Sequence, residues 1–260
     1  MFNKNDFKEY RSKIGFSNAN ELKNFLSAKD IKSEIDYSYI NHLTQRLKDI
    51  IISINKIIDN SIKVIDFDKF CKDNIDTVLS TLKLSNLLPK FNNQGRRPEE
   101  VYFSWMRGSV VSHYFTKALG TIFGIKESEI SIIGKDNLEN IDTFSRQPTA
   151  DLELKVDDKI IRIEMQSGYQ GINDIKQHKV LEAKRQFINS GIYSVVIHFD
   201  FFNGQVAFVN ISQIKEDDMN WITRQQMEGQ TVFNINQDYF VWLLTDKCPK
   251  LEDLKECLFE

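Results

Sequence analysis

Long hydrophobic runs are missing from this chain. No apolar stretch approaches the roughly 20 residues that a bilayer-spanning helix requires. The first residues, Met1-Phe2-Asn3-Lys4-Asn5-Asp6, lack the apolar core and small-residue site of a secretory leader. Cysteine is scarce: Cys71, Cys248 and Cys257 lie far apart with no CxxC spacing, which argues against a disulfide framework or a zinc site and leads to an expected cytoplasmic location. His113, His178 and His198 do not recur at metal-ligand spacing. The Gly191-Ile192-Tyr193 triplet has no Tyr-Ile-Gly partner at short range and falls within a buried-strand pattern. There is no P-loop, so ATP-driven translocation is not expected. Excess positive charge is absent too: 34 Lys and Arg against 37 Asp and Glu give a net charge of −3. That balance excludes a uniformly polybasic nucleic-acid binder but leaves room for a local basic groove.

What is present is enough for a core. With 260 residues and 41% hydrophobic content, the chain can form one large domain or one and a half. Residues 1–90 read as a helical N-terminal region suited to dimerisation or to clasping a substrate. Within it Ile35, Tyr39, Ile40, Leu43, Leu47, Ile50, Ile51, Ile54 and Ile57 recur at helical spacing over Glu34–Asn60, and Ile75–Leu84 is a second amphipathic stretch. Turn residues cluster from Leu87 to Arg97, so a boundary near 90/91 is expected, with residues 91–260 forming an α/β domain and a C-terminal extension. Pro98 opens a long helix ending near Gly124. A strand at Ile130–Ile133 follows, then a polar loop from Gly134 to Gln147 and a hairpin. Asn173 reads as the N-cap of a helix that runs through Phe187 and stops at Gly191. Ile192–Phe199 is a buried strand, Asn203-Gly204 a type I′ turn, and Gln205–Ile211 a returning strand. Short helices are expected near Gln237–Thr245 and Leu251–Phe259. The class is therefore α/β, a mixed β-sheet core flanked by helices.

The hairpin carries the chemistry. With Asp157-Asp158 as a two-residue turn, Val156 pairs with Lys159 and Glu153 with Arg162, and Asp151 falls opposite Glu164. Alternation puts Leu152, Leu154, Val156, Ile161, Ile163 and Met165 on one face and Asp151, Glu153, Arg162, Glu164 and Gln166 on the other. A three-residue loop would mix the faces. Glu153 with Arg162 is a cross-strand ion pair of the kind found on solvated faces. Asp151 opposite Glu164 is not, because like charges directly opposite are destabilising. Two carboxylates converging at strand ends suit a hard divalent cation held against a phosphate.

A long helix, a strand pair bearing D-x12-E-x-Q, then a helix and a further strand resembles the PD-(D/E)xK nuclease superfamily, with restriction-endonuclease-like fold. The resemblance covers roughly residues 98–211. Its first acid falls at Asp151, with Pro148 three residues earlier instead of adjacent; its second falls at Glu164; Gln166 stands where the superfamily usually has lysine. An E-x-Q variant occurs in some type II restriction endonucleases and in transposase-linked nucleases of the superfamily. The resemblance implies Mg²⁺ held by Asp151, Glu164 and the carbonyl of Met165. Gln166 would be the third site residue, able to orient a water but not to act as a base. Lys179 or Lys184 of the following helix could supply the missing lysine from another direction. Glu99 or Glu100 could add an acid, although the helix dipole accounts for both.

The expected activity is sequence-specific double-strand DNA cleavage to 5′-phosphate and 3′-hydroxyl ends by a homodimer, with a cognate DNA methyltransferase in the same system. A transposase-linked or junction-resolving nuclease, or an inactive DNA-binding module, is the alternative. Candidate phosphate contacts are Arg96, Arg97, Lys176, Lys179, Lys184 and Arg185. Candidate base-reading groups are Tyr169, Gln170 and Asn173 beyond the second acid, and Asn220, Arg224, Gln225 and Gln226 further on.

Overall fold

The computed structural model describes residues 3–28, 31, 34–91, 96–133, 150–169, 171, 173–225 and 229–259. The chain divides into two compact units, residues 1–46 with 79–106, and residues 47–78 with 107–260. The 90/91 boundary expected from the turn residues falls inside the first unit instead of between the two. Among the described residues no helix is long and apolar enough to cross a membrane.

The N-terminal half is helical, as its periodicity requires. Asn3 and Asn18 accept backbone N–H groups at the starts of α1 (Lys4–Ile14) and α2 (Ala19–Leu26). Helices α3 (Tyr37–Ile57), α4 (Phe67–Cys71) and α5 (Thr77–Leu84) follow, the last two joined by a single π-turn, Lys72–Asp76. Helix α6 (Pro98–Phe123) begins on its proline and ends at Gly124, whose φ of 65° is the left-handed conformation that closes a helix. In the first unit, Ile40, Leu82, Leu88, Phe91, Tyr102 and Met106 are buried, and Thr44 Oγ1 lies 3.0 Å from the Tyr102 hydroxyl.

The second unit is built on β1 (Ser131–Ile132), β2 (Leu152–Val156), β3 (Lys159–Gly168), β4 (Asp174–Lys176), α7 (Gln177–Ser190), β5 (Tyr193–Asp200), β6 (Gln205–Asn210), β7 (Trp221–Arg224), β8 (Gln230–Asn234), β9 (Phe240–Leu243) and α8 (Lys255–Phe259). Six strands form one sheet in the order β1-β2-β3-β5-β6-β9, and β4-β8-β7 form a second. Among the described residues only β3 and β5 pair in parallel, so the main sheet is mixed. The hairpin register is the one counted from the sequence, from Val156↔Lys159 through Glu153↔Arg162 to Leu152↔Ile163. Leu152, Leu154, Val156, Ile161, Ile163 and Met165 are buried, while Ile160 is exposed, and on the buried face Phe199 stacks on Phe115 of α6 at 4.1 Å between ring centroids. The opposite face carries Val196, Ala207 and Val209, which pack with Val180 and Ala183 of α7 and with Ile175 and Phe233 of the small sheet.

Four local expectations differ from the structure. Asn173 is not an N-cap: strand β4 intervenes, and α7 starts at Gln177. The β5–β6 connection is the four-residue Phe201–Gly204 loop instead of a type I′ turn, because the Asp200 carboxylate accepts the N–H groups of Phe202 and Asn203, and only Gly204 has positive φ. Residues 240–243 are strand β9, since Phe240, Val241, Trp242 and Leu243 favour a pleated surface and β6 offers an edge to pair with. The strand at Ile130–Ile133 shortens to the two residues of β1. The expected loop from Gly134 to Gln147, together with Pro148, lies outside the described residues.

Candidate functional site

Regular pairing of β2 with β3 stops at Leu152↔Ile163, one residue short of Asp151. Asp151 N–H instead donates to the carbonyl of Ile163 at 3.0 Å, and the Asp151 carbonyl accepts from Ile133 N–H at 3.1 Å. The chain is therefore bent at the acid, and Asp151 Oδ2 accepts the Met165 N–H at 2.7 Å. Direct apposition to Glu164, expected from the count, is thus replaced by a carboxylate turned onto the backbone between Glu164 and Gln166. In an extended strand the N–H and C=O of one residue point to the same side. Met165 therefore presents its carbonyl to the Asp151 edge, past the end of β2.

Glu164 projects toward α7. Lys179, in the first turn of that helix, forms an ion pair with Glu164 Oε1, and Gln166 Nε2 donates to the same oxygen at 3.1 Å. Glu164 and Lys179 are partly buried, with side chains 16% and 28% exposed. Burial pushes the pKa of Lys179 down, and the negative charge of Asp151 opposes that shift. One ammonium group is thus in contact with one site carboxylate and within the field of the other. Positive charge is wanted at this point, and a hard cation bound through one or two carboxylates and waters matches the oxygen donors present. Among the described residues no three His, Cys, Asp or Glu side chains cluster as a metal-ligand set. The acids alone would supply two ligands, with backbone oxygen and water completing the shell.

The site opens onto a cleft of about 650 Å³ lined by Glu164, Lys179, Glu153, Arg162, Glu182 and Gln186, among others. Arg162 Nε donates to Glu153 Oε2 at 2.8 Å, which is the cross-strand pair expected from the register. Arg162 Nη1 also donates to Gln186 Oε1 at 2.8 Å, a contact not foreseen from the sequence. The signal was present, since Lys179, Glu182 and Gln186 recur at helical spacing and share one face of α7.

The remaining candidates separate. Glu99 is buried at 1% exposure, accepts the Asp36 N–H at 2.7 Å and pairs with Arg97, so its carboxylate caps a turn in the first unit. Arg97 also covers the Tyr39 ring, while Arg96 and Glu100 are exposed. Asn173 is buried, its Oδ1 accepting from His198 Nε2 at 2.8 Å, so it is a core group and not a base-reading one. Arg224 grips Asp174 through Nε and Nη2 at 2.9 and 3.1 Å, which ties it to the small sheet. Asn220 lies in a turn, its N–H donating to Asp218 Oδ1. Lys176 and Gln225 are exposed, Lys184 is half-buried, and Arg185 pairs with Glu182. Tyr169 is 55% exposed under the Arg107 guanidinium. Gln170 and Gln226 lie outside the described residues. No family model matches the chain, and no curated protein matches it.

Proposed function

We propose that the second unit is a Mg²⁺-dependent DNA endonuclease of the PD-(D/E)xK kind, acting on double strands as type II restriction enzymes do. The observation that carries this reading is Lys179, an amine from the crossover helix brought onto Glu164 within the field of Asp151. It supplies what Gln166 lacks. The run of α6, β1, β2, β3, α7 and β5, with β3 parallel to β5, supports the same reading.

The chemistry required is attack of water on a phosphodiester phosphorus, with the 3′ oxygen leaving and the phosphate retained on the 5′ end. Asp151, Glu164 and the Met165 carbonyl would hold Mg²⁺, which when bound neutralises phosphate charge and activates water. Gln166 fixes the Glu164 carboxylate through its amide. Lys179 Nζ, whose pKa burial lowers, donates to Glu164 Oε1 and is placed to orient the attacking water by hydrogen bonding. The half-buried setting limits competing water at that point.

Digestion of unmethylated plasmid in Mg²⁺ and gel-shift binding in Ca²⁺ test the proposal together. Discrete fragments support site-specific cleavage, and a smear or nicking supports the transposase-linked or junction-resolving alternative. Binding in Ca²⁺ with no cleavage in Mg²⁺ would mark an inactive binding module and refute the assignment.

A further inference from the structure

We infer that Arg162 and Gln186 are positioning residues that set helix α7 on strand β3 so that Lys179 meets Glu164, an inference that rests on the nuclease reading of the site. Because β3 and β5 are parallel, the helix joining them returns antiparallel to both. Arg162 and Glu164 are two residues apart on one face of β3, and Lys179 and Gln186 lie two helical turns apart on one face of α7. The contacts Glu164–Lys179 and Arg162–Gln186 therefore tie the same two elements at two separate points. One tie would let the helix pivot; two fix its rotation and its position along the strand.

Apolar packing holds α7 firmly only toward its C-terminal end, where the Phe187 ring meets Tyr193 of β5 at 4.9 Å, and specifies the register near Lys179 weakly. In the first two turns the buried residues are Val180 and Ala183, whose small side chains tolerate sliding better than a large side chain seated in a pocket. The polar line is continuous by contrast: Glu153 Oε2 accepts from Arg162 at 2.8 Å, Arg162 reaches Gln186 at 2.8 Å, and Gln186 Nε2 donates to Glu182 Oε1 at 2.9 Å. It crosses β2, β3 and α7. Neither Arg162 nor Gln186 touches the phosphodiester in this scheme; both act through Lys179.

The test compares wild type with Gln186→Leu, which keeps bulk and helix propensity but removes both side-chain hydrogen bonds. Two readouts are taken: acylation of Lys179 by an amine-reactive anhydride in metal-free buffer, followed by peptide mass spectrometry, and single-turnover cleavage kinetics in Mg²⁺. Expected are severalfold faster labelling of Lys179 with Lys48, a partly buried lysine paired with Asp76 at 2.6 Å, unchanged, and a cleavage rate lower by up to about 10²-fold with DNA affinity retained. Gln186→Glu keeps an acceptor for Arg162 and is expected to restore Lys179 protection. Wild-type labelling of Lys179 in Gln186→Leu, or no restoration in Gln186→Glu, would overturn the inference. Should Gln186→Leu fail to fold, Arg162→Lys removes the fork to Gln186 and takes its place, with the same expected labelling. If no protein cleaves DNA yet Lys179 labelling follows this pattern, the nuclease reading fails and the positioning role stands.

Discussion

Lowering the pH should unlock a buried histidine. His198 is 3% exposed; its Nε2–H donates to Asn173 Oδ1 at 2.8 Å, and its buried Nδ1 has no hydrogen-bond partner among the described residues. Burial drives its pKa from 6.5 down to about 4, partly opposed by the negative charges of Asp200 and Asp174. The unfolded chain binds a proton at this residue below pH 6.5, whereas the folded chain does so only near pH 4. Between those values the unfolded state holds more protons, so stability rises with pH across the window and is lost as pH falls through it. A separation of about 2.5 pKa units, at about 1.4 kcal/mol each, corresponds to about 3 kcal/mol, complete above pH 6.5 and exhausted below pH 4. Denaturant unfolding of wild type and His198→Gln at a series of pH values isolates this contribution from those of the carboxylates. Glutamine keeps a donor for Asn173 but does not titrate. Wild type should lose about 3 kcal/mol more than the variant between pH 7.5 and 4. Parallel pH profiles, or an imidazole of His198 titrating near 6.5 by NMR, would refute the reasoning.

Four further outcomes follow from the structure. Gly168→Ala places a Cβ 2.9 Å from His198 Nε2 and 3.2 Å from Asn173 Oδ1, so thermal unfolding should show a loss of about 1–3 kcal/mol. Gly108→Ala in α6 meets nothing within 4 Å and should instead gain about 0.5–1 kcal/mol in the same assay. Arg224→Met leaves Asp174, whose side chain is 5% exposed, with the Asn234 amide but without its guanidinium; a loss of about 1–2 kcal/mol is expected, because Arg224 itself is partly solvated. Lys179→Met should slow cleavage by about 10²–10⁴-fold while leaving DNA binding in Ca²⁺ intact, as followed by single-turnover kinetics and gel shift.

The parts of this protein legible in the sequence are those fixed by short-range periodicity. The hairpin register followed from one turn and one alternation, and the limits of α6 followed from a proline and a glycine at its ends. The bend at Asp151 was not legible, because it depends on a carboxylate capturing the Met165 N–H, and alternation carries no information on that. Asn173 failed as an N-cap because β8 offered a pairing edge to residues 174–176, a tertiary contact that outweighs local capping preference. Arg224 and Asn173 looked like surface recognition groups by residue type, yet both satisfy buried partners, Asp174 and His198. Lys179 was visible only as one of the two lysines on α7. Its selection required the packing of that helix over β3, which puts its amine on Glu164 and leaves Lys184 elsewhere on the helix.

Asp151, Glu164 and Lys179 are proposed to form one metal-dependent hydrolytic site. The most direct measurement is the rate of supercoiled plasmid cleavage by wild type, Asp151→Asn and Glu164→Gln, each in Mg²⁺ and in chelator. Cleavage by wild type in Mg²⁺ only, yielding 5′-phosphate ends and lost in both variants while their unfolding transitions stay cooperative, is the predicted result. Wild type inert across Mg²⁺ and Mn²⁺, or full activity in either variant, would contradict it.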